Sequence, residues 1–330
     1  MASTASTFDV SNAGLVIRPV QPTIGAEVEG VDLSKPLPNE QRGAIRAALL
    51  KWKVLFFRDQ SIDDAQQAAF AANFGPLYTH PTTRHDAANK EVHAIAARED
   101  REYERKLGYK LRPGEAYHTD TSWRLVPTWG AVLRDVNLPE VGGDTIWVDA
   151  HLAYETLPAE IKARLEGRHV THNFVPALEL SGHDYPIVAH RIVRTHRETG
   201  QKILWVNFSQ QPQILGLELS ESRELLDEVL LQYKRPDLQA RFSWRPGTVA
   251  FWDNRATYTS RCATTAISHA NCTASSSPTN RSGRTSDRCW TDATCLQDLP
   301  RPSPWPLAAG ARAQMPGCCA SVARRAAPSR

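Results

Sequence analysis

Residues 129–148, Trp129-Gly-Ala-Val-Leu-Arg-Asp-Val-Asn-Leu-Pro-Glu-Val-Gly142-Gly143-Asp144-Thr145-Ile-Trp-Val148, decide the fold class. Short apolar runs at 131–133 and 145–148 flank Gly142-Gly143-Asp144, where glycine supplies the positive φ that a tight turn needs. Similar runs follow at 203–206 and 248–252, so the chain is predicted to be mainly β, a sandwich or barrel carrying helical insertions. Toward the N-terminus, residues 15–31 read as short strands broken at Gly25 and Gly30. Asn39 can cap a helix with Ala44, Ile45, Ala48 and Leu49 on one face. Val54-Leu-Phe-Phe57 reads as a buried strand, and a second helix runs over about 63–74 with Gly75 as its stop. Short helices are predicted at 150–157, at 159–165 and, capped by Ser220, at 221–233.

The chain has 330 residues, 41% of them hydrophobic and 23% charged, enough for one large core or two ordinary ones and far beyond a small disulfide scaffold. Its net charge of +3 hides a split: residues 1–258 carry 30 Lys/Arg against 33 Asp/Glu, and residues 259–330 carry 9 against 3. All six cysteines (262, 272, 289, 295, 318 and 319) fall in the second stretch, at spacings that fit no zinc pattern, and they read as reduced or adventitious thiols. Of its 72 residues 41 are Ala, Ser, Thr, Pro or Gly and none is Phe, Tyr or Lys, so the expectation there is a disordered tail. Residues 1–14 read as a flexible leader, and 15–258 as the domain proper. No signal peptide and no 18-residue apolar window is present, which points to the cytoplasm. The basic excess lies in the tail without interleaved aromatics, so neither nucleic acid nor membrane is an expected partner. A small molecule is, and self-association is left open.

One histidine is placed unusually. In an extended segment residues i and i+2 share a side, so His118 and Asp120 of His118-Thr119-Asp120 can present an imidazole nitrogen and a carboxylate oxygen to one ion. A mixed N/O pair suits a divalent first-row metal, and a second histidine would complete a facial triad on Fe(II). Taken alone, the spacing fits equally a hydrogen-bonded surface pair.

Five ordered blocks carry a resemblance: His118-Thr-Asp120; 138–147, which contains Gly142-Gly143-Asp144-Thr145; Ala153-Tyr-Glu-Thr-Leu157-Pro158; Val193-Arg-Thr-His196-Arg-Glu-Thr-Gly200; and Trp252-Asp-Asn-Arg255-Ala-Thr257. With Ile24-Gly25 to Leu33 and Phe56 to Gln60, they resemble the taurine dioxygenase (TauD/TfdA) family of Fe(II)/2-oxoglutarate-dependent dioxygenases over about 15–258. The resemblance implies a double-stranded β-helix, or jelly roll, with outer helices. It also implies Fe(II) held by His118 and Asp120, with 2-oxoglutarate and O2 as co-substrates and Thr145 contacting a 2-oxoglutarate carboxylate. His80 matches a substrate-contacting histidine of the sulfonate-oxidising members, although Thr83 and Gly114 depart from their tyrosine and asparagine, which speaks against taurine itself. The implied reaction hydroxylates a small organic sulfonate, sulfate ester or related compound and releases succinate and CO2. His172, His190 and His196 read as structural, and the Trp252–Arg255 block as a brace for a core strand.

Two family positions are lost. The second iron-binding histidine belongs where this chain has Thr259, and an arginine for the distal 2-oxoglutarate carboxylate belongs at Ala270; His269 comes ten residues late. If one base were lost after the Tyr258 codon, a choice of wobble bases alone recodes the segment to begin His-Phe-Ala-Val-Arg, with an arginine eleven residues after that histidine. The wobble bases are chosen with the family in mind, so this is a test of consistency. Such a chain is expected to bind iron weakly and turn over little. The alternatives are a non-catalytic jelly-roll relic or small-anion-binding protein, and a metal-dependent hydrolase using His118 and Asp120.

Overall fold

The computed structural model describes residues 8–10, 13–81, 83, 90–96, 117–135, 138, 141–179, 182–261, 271–277 and 293–296. All belong to the unit Met1–Leu299. Its first strands are β1 (Phe8–Val10), β2 (Leu15–Pro19), β3 (Ala26–Glu29) and β4 (Val54–Phe57), with helix α1 (Asn39–Trp52) preceding β4 and α2 (Asp64–Ala72) following it. Next come β5 (Val92–Ala96), β6 (Gly130–Asp135) and β7 (Thr145–Asp149), then β8 (His169–His172), β9 (Ile187–Arg191), β10 (Val193–Thr195) and β11 (Lys202–Leu204). Strands β12 (Gln239–Phe242), β13 (Val249–Asp253), β14 (Thr257–Arg261), β15 (Asn271–Ser277) and β16 (Ala293–Leu296) follow.

The strands form an eight-stranded sheet ordered β1-β2-β3-β4-β13-β6-β15-β5, a three-stranded sheet β12-β7-β14, a second three-stranded sheet β16-β9-β8, and the pair β10-β11. Strands β4 and β13 are buried along their whole length because both faces of the large sheet are covered. Leu55, Phe57, Val249 and Phe251 turn to α1 and α2, where Ile45, Leu49 and Phe70 complete one core. Val54, Phe56, Ala250 and Trp252 turn the other way and meet Trp147, Ala240 and Phe242 of the three-stranded sheet. Phe56 stacks on Phe242 with ring centroids 3.7 Å apart, and Trp147 meets Phe56 edge-on at 5.2 Å. The outer face of β7-β14, with Val148 and Tyr258, is covered by helix Leu219–Tyr233 through Leu225, Val229 and Tyr233.

The two packed sheets with outer helices agree with the mainly β expectation. Helix α2 begins at a capping box in which Asp63 and Gln66 bond each other's backbone. At α1 the cap is Pro38, and Asn39 opens the helix, its side chain accepting a hydrogen bond from Arg42. The last helix starts at Leu219, one residue before the expected cap Ser220. Gly30 has φ 88°, and a Cβ there would lie 2.3 Å from the Gly14 carbonyl oxygen, so the break predicted at this residue has a steric cause.

The structure differs from the expected strandless tail at three places: the end of β14, β15 and β16. Strand β15 pairs with both β6 and β5, and β16 pairs with β9. Main-chain ladders do not depend on apolar side chains, so the Ser/Thr-rich composition concealed them. The rest of 259–330 lies outside the described residues.

Candidate metal centre

His118 faces β14 through two main-chain hydrogen bonds: its N–H donates to Thr259 O at 3.0 Å, and Thr259 N–H donates to His118 O at 2.8 Å. His118 Nε2 and Asp120 Oδ1 are 3.8 Å apart on half-exposed side chains, whereas Thr119 between them is buried. The alternation read from the sequence therefore holds, with His118 and Asp120 on the same side. Thr259 Oγ1 lies 3.2 Å from His118 Nε2, so the third side chain at this point is a hydroxyl.

Two buried asparagines fix this turn. Asn254 Oδ1 accepts from Asp120 N–H at 2.9 Å and from the Thr119 hydroxyl at 2.9 Å, while its Nδ2 donates to Asp120 O at 2.8 Å and Thr128 O at 3.1 Å. Asn207 Nδ2 donates to Thr119 O at 3.0 Å and Ser122 Oγ at 2.8 Å. Thr121, at φ 54°, holds a backbone conformation that costs a β-branched residue about 1–3 kcal/mol, and its hydroxyl accepts from Thr128 N–H at 2.8 Å. Next to Asn254, Asp253 accepts from His196 at 3.0 Å and from Arg255 at 2.6 Å, and Arg255 also pairs with Glu198. Burial opposes ionisation of Asp253, but Arg255 and then His196 outweigh it and hold the carboxyl far below the ordinary carboxylate range. The Trp252–Arg255 block thus braces β13, as expected, and clamps the His118–Asp120 turn as well.

Thr145 opens β7, and its hydroxyl accepts from Trp244 Nε1 at 3.0 Å. Thr259 lies opposite Trp147 in the register, which puts Thr145 one pleat repeat, about 7 Å, along the same face. His80 sits with the segment that follows Asp120, its ring 6.0 Å from Trp123 and 6.1 Å from Phe174. Trp123 stacks on Phe174 at 5.5 Å and meets Tyr185 edge-on at 4.9 Å, and the Arg124 guanidinium lies 3.9 Å over the Tyr78 ring. The sequence reading missed these five residues; the only signal was that Trp123 and Arg124 follow Asp120 by three and four positions. Gly114, Ala270 and His269 lie outside the described residues.

The three histidines read as structural are all buried. His190 Nε2 donates to Ser122 O at 2.8 Å and Arg124 O at 2.9 Å, so it braces the backbone on both sides of Trp123. Burial, reinforced by Arg194, pushes His190 down to about 3, and burial with neighbouring His190 pushes His172 well below its ordinary value.

His118 and Asp120 fit two positions on a divalent cation. Among the described residues no group of three or more His, Cys, Asp or Glu is arranged to hold a metal ion, and the neutral Thr259 hydroxyl is a poor substitute for imidazole toward a first-row metal. The described residues therefore do not complete a facial triad.

Residues 17–268 match the family described as "Taurine catabolism dioxygenase TauD, TfdA family". The chain is 30% identical over 263 residues to the alpha-ketoglutarate-dependent 2,4-dichlorophenoxyacetate dioxygenase of Cupriavidus pinatubonensis, covering 73% of this chain and 90% of the relative. It is also 30% identical over 261 residues to the alpha-ketoglutarate-dependent sulfate ester dioxygenase of Pseudomonas putida, covering 74% and 82%. A crystal structure of a taurine dioxygenase from Burkholderia xenovorans superposes with a TM-score of 0.71 at 33% identity, over 86% of this chain and 96% of that one. The chain belongs to the TauD/TfdA family of 2-oxoglutarate-dependent dioxygenases. Among the described residues no helix is long and apolar enough to cross a membrane.

Proposed function

We propose that this chain carries the framework of an Fe(II)- and 2-oxoglutarate-dependent dioxygenase whose metal centre is short of one ligand. In this reading the two packed sheets are a double-stranded β-helix. His118 and Asp120 bind Fe(II), the Thr145 hydroxyl contacts a carboxylate of 2-oxoglutarate, and His80 contacts the substrate. That substrate is a small organic sulfonate, sulfate ester or related compound, which an intact centre of this kind would hydroxylate with O2 while releasing succinate and CO2. The setting is the cytoplasm, with no nucleic acid or membrane partner.

The observation that carries the reading is the convergence of His118 Nε2 and Asp120 Oδ1, 3.8 Å apart and reachable from solvent, on a turn clamped by buried Asn254. Thr259 at the third place supports the shortage. The residues after 258 are read as the product of a shifted frame, which accounts for the sudden cysteines and the loss of Phe and Tyr. Sequencing the coding DNA across the Tyr258 codon tests the frame: an overlapping sequence encoding the lost histidine is expected, and its absence overturns that part. Succinate formation by the purified 330-residue protein with Fe(II), 2-oxoglutarate and candidate sulfonates tests the rest. Little or no succinate is expected, and robust iron-dependent turnover refutes the shortage.

A further inference from the structure

At the third place beside the metal pair, Thr259 does more than lack an imidazole. Its Oγ1 lies 3.2 Å from His118 Nε2, the same ring nitrogen that stands 3.8 Å from Asp120 Oδ1. The His118 carbonyl oxygen is farther from the hydroxyl, at 3.5 Å. A histidine nitrogen binds a cation through a bare lone pair. In one tautomer that lone pair accepts the proton of the Thr259 hydroxyl; in the other, Nε2 carries a proton and donates it to Oγ1. Either way the nitrogen nearest Asp120 is engaged before an ion arrives.

The fold holds the hydroxyl in this place. Thr259 stands opposite Trp147 in the β14–β7 ladder, and on its other side it exchanges two main-chain hydrogen bonds with His118. A β-branched side chain is stiff at χ1, so a backbone fixed from both sides fixes the hydroxyl as well. Thr259 is buried, whereas the His118 and Asp120 side chains are 40% and 31% exposed. An ion can therefore reach the imidazole and the carboxylate, while water competes little for the hydroxyl behind them.

We infer that Thr259 is a latch on the metal pair: its hydroxyl competes with a divalent cation for His118 Nε2, so the pair rests as a closed hydrogen-bonded unit that opens only when an ion displaces that bond. This rests on the reading of His118 and Asp120 as a metal pair, and it gives Thr259 a role opposite to that of a weak donor. A hydroxyl that lent its oxygen to the ion would strengthen binding; one that caps the imidazole weakens it. The sign of a single substitution separates the two.

Thr259→Val has nearly the same shape, suits a strand and leaves both main-chain bonds to His118 in place. Calorimetric titration of the full 330-residue protein with manganese(II) chloride is the test. Thr259→Val is expected to tighten Mn(II) binding about 3- to 10-fold, the worth of one hydrogen bond, and Thr259→Ala, which also lacks the hydroxyl, should share the gain. Thr259→Ser keeps the hydroxyl and is expected to stay within about 2-fold of wild type. Adding His118→Ala to Thr259→Val should abolish the gain. In metal-free protein, nitrogen NMR is expected to show the His118 Nε2 resonance moved in Thr259→Val and unmoved in Thr259→Ser. Circular dichroism confirms that the variants fold. Unchanged or weaker Mn(II) binding by Thr259→Val, with His118 still required, overturns the latch and leaves the metal pair standing. Absence of His118-dependent binding in both wild type and Thr259→Val overturns both. An Nε2 resonance that stays in place in Thr259→Val overturns the latch as well.

Discussion

The His118–Asp120 turn and strand β14 sit against each other through paired main-chain hydrogen bonds, yet they present different side-chain chemistry at the point of contact. The turn keeps its imidazole and carboxylate and is clamped by Asn254 and Asn207. Strand β14 keeps its backbone register with β7 and buries Tyr258, but at the position facing His118 it offers the Thr259 hydroxyl. Backbone pairing tolerates any side chain that leaves the ladder intact, whereas coordination depends on a single donor atom. On the proposed reading, the architecture here outlasts the chemistry within one pair of hydrogen-bonded segments.

The comparison breaks most sharply if the clamp is removed. Asn254→Ala would leave the Asp120 N–H and the carbonyls of Asp120 and Thr128 without these bonds, while the Thr119 hydroxyl keeps Asn254 O at 2.6 Å, and is expected to lower unfolding stability by about 3 kcal/mol, measured by chemical denaturation. A change below about 1 kcal/mol would show that the turn holds itself. Supplying the donor that β14 lacks is the complementary experiment. Thr259→His is expected to tighten Mn(II) binding about 100-fold, the upper end of what outer-shell partners alone contribute, as read by calorimetry. A second change, Asp120→Ala, should remove the gain.

Tyr258→Phe sharpens the structural half of the comparison. The Tyr258 hydroxyl accepts from Val206 N–H at 2.7 Å and donates to Leu204 O at 2.9 Å, so its loss leaves two buried backbone groups unpaired and is expected to cost about 2 kcal/mol in unfolding stability. A thermal midpoint unchanged from wild type would mean that β14 is not anchored there.

The smallest expected effect is acidic. His172 and His190 have folded-state values below the unfolded value of about 6.5. Above that value both states are neutral and the full stability is present; as pH falls below it, only the unfolded chain takes up protons, and stability declines down to the folded value, about 3 for His190. Between pH 7 and pH 5.5 the expected loss is about 1 kcal/mol per histidine. Replacing both by Phe in one variant should flatten the slope over that interval, and an unaltered slope would assign it to other groups.

Much of this was legible from sequence where a short-range rule operates. Turn glycines and the all-apolar 54–57 run each encode their local structure, and the His118/Asp120 alternation follows from strand geometry. The Asn254 clamp and the Trp123–Phe174–Tyr185 cluster were not legible, because they join residues that are far apart in the chain and that carry no periodic signal. Strands β15 and β16 escaped for the opposite reason: Ser, Thr and Ala can occupy a ladder without announcing it.

The most direct test counts nitrogen ligands. Pulsed electron paramagnetic resonance on Mn(II) bound to an excess of the 330-residue protein reads the number of coordinated imidazoles. One imidazole, from His118, is predicted, rising to two in Thr259→His; two in the unaltered chain would mean that another histidine completes the centre, and the account of a missing donor would be wrong.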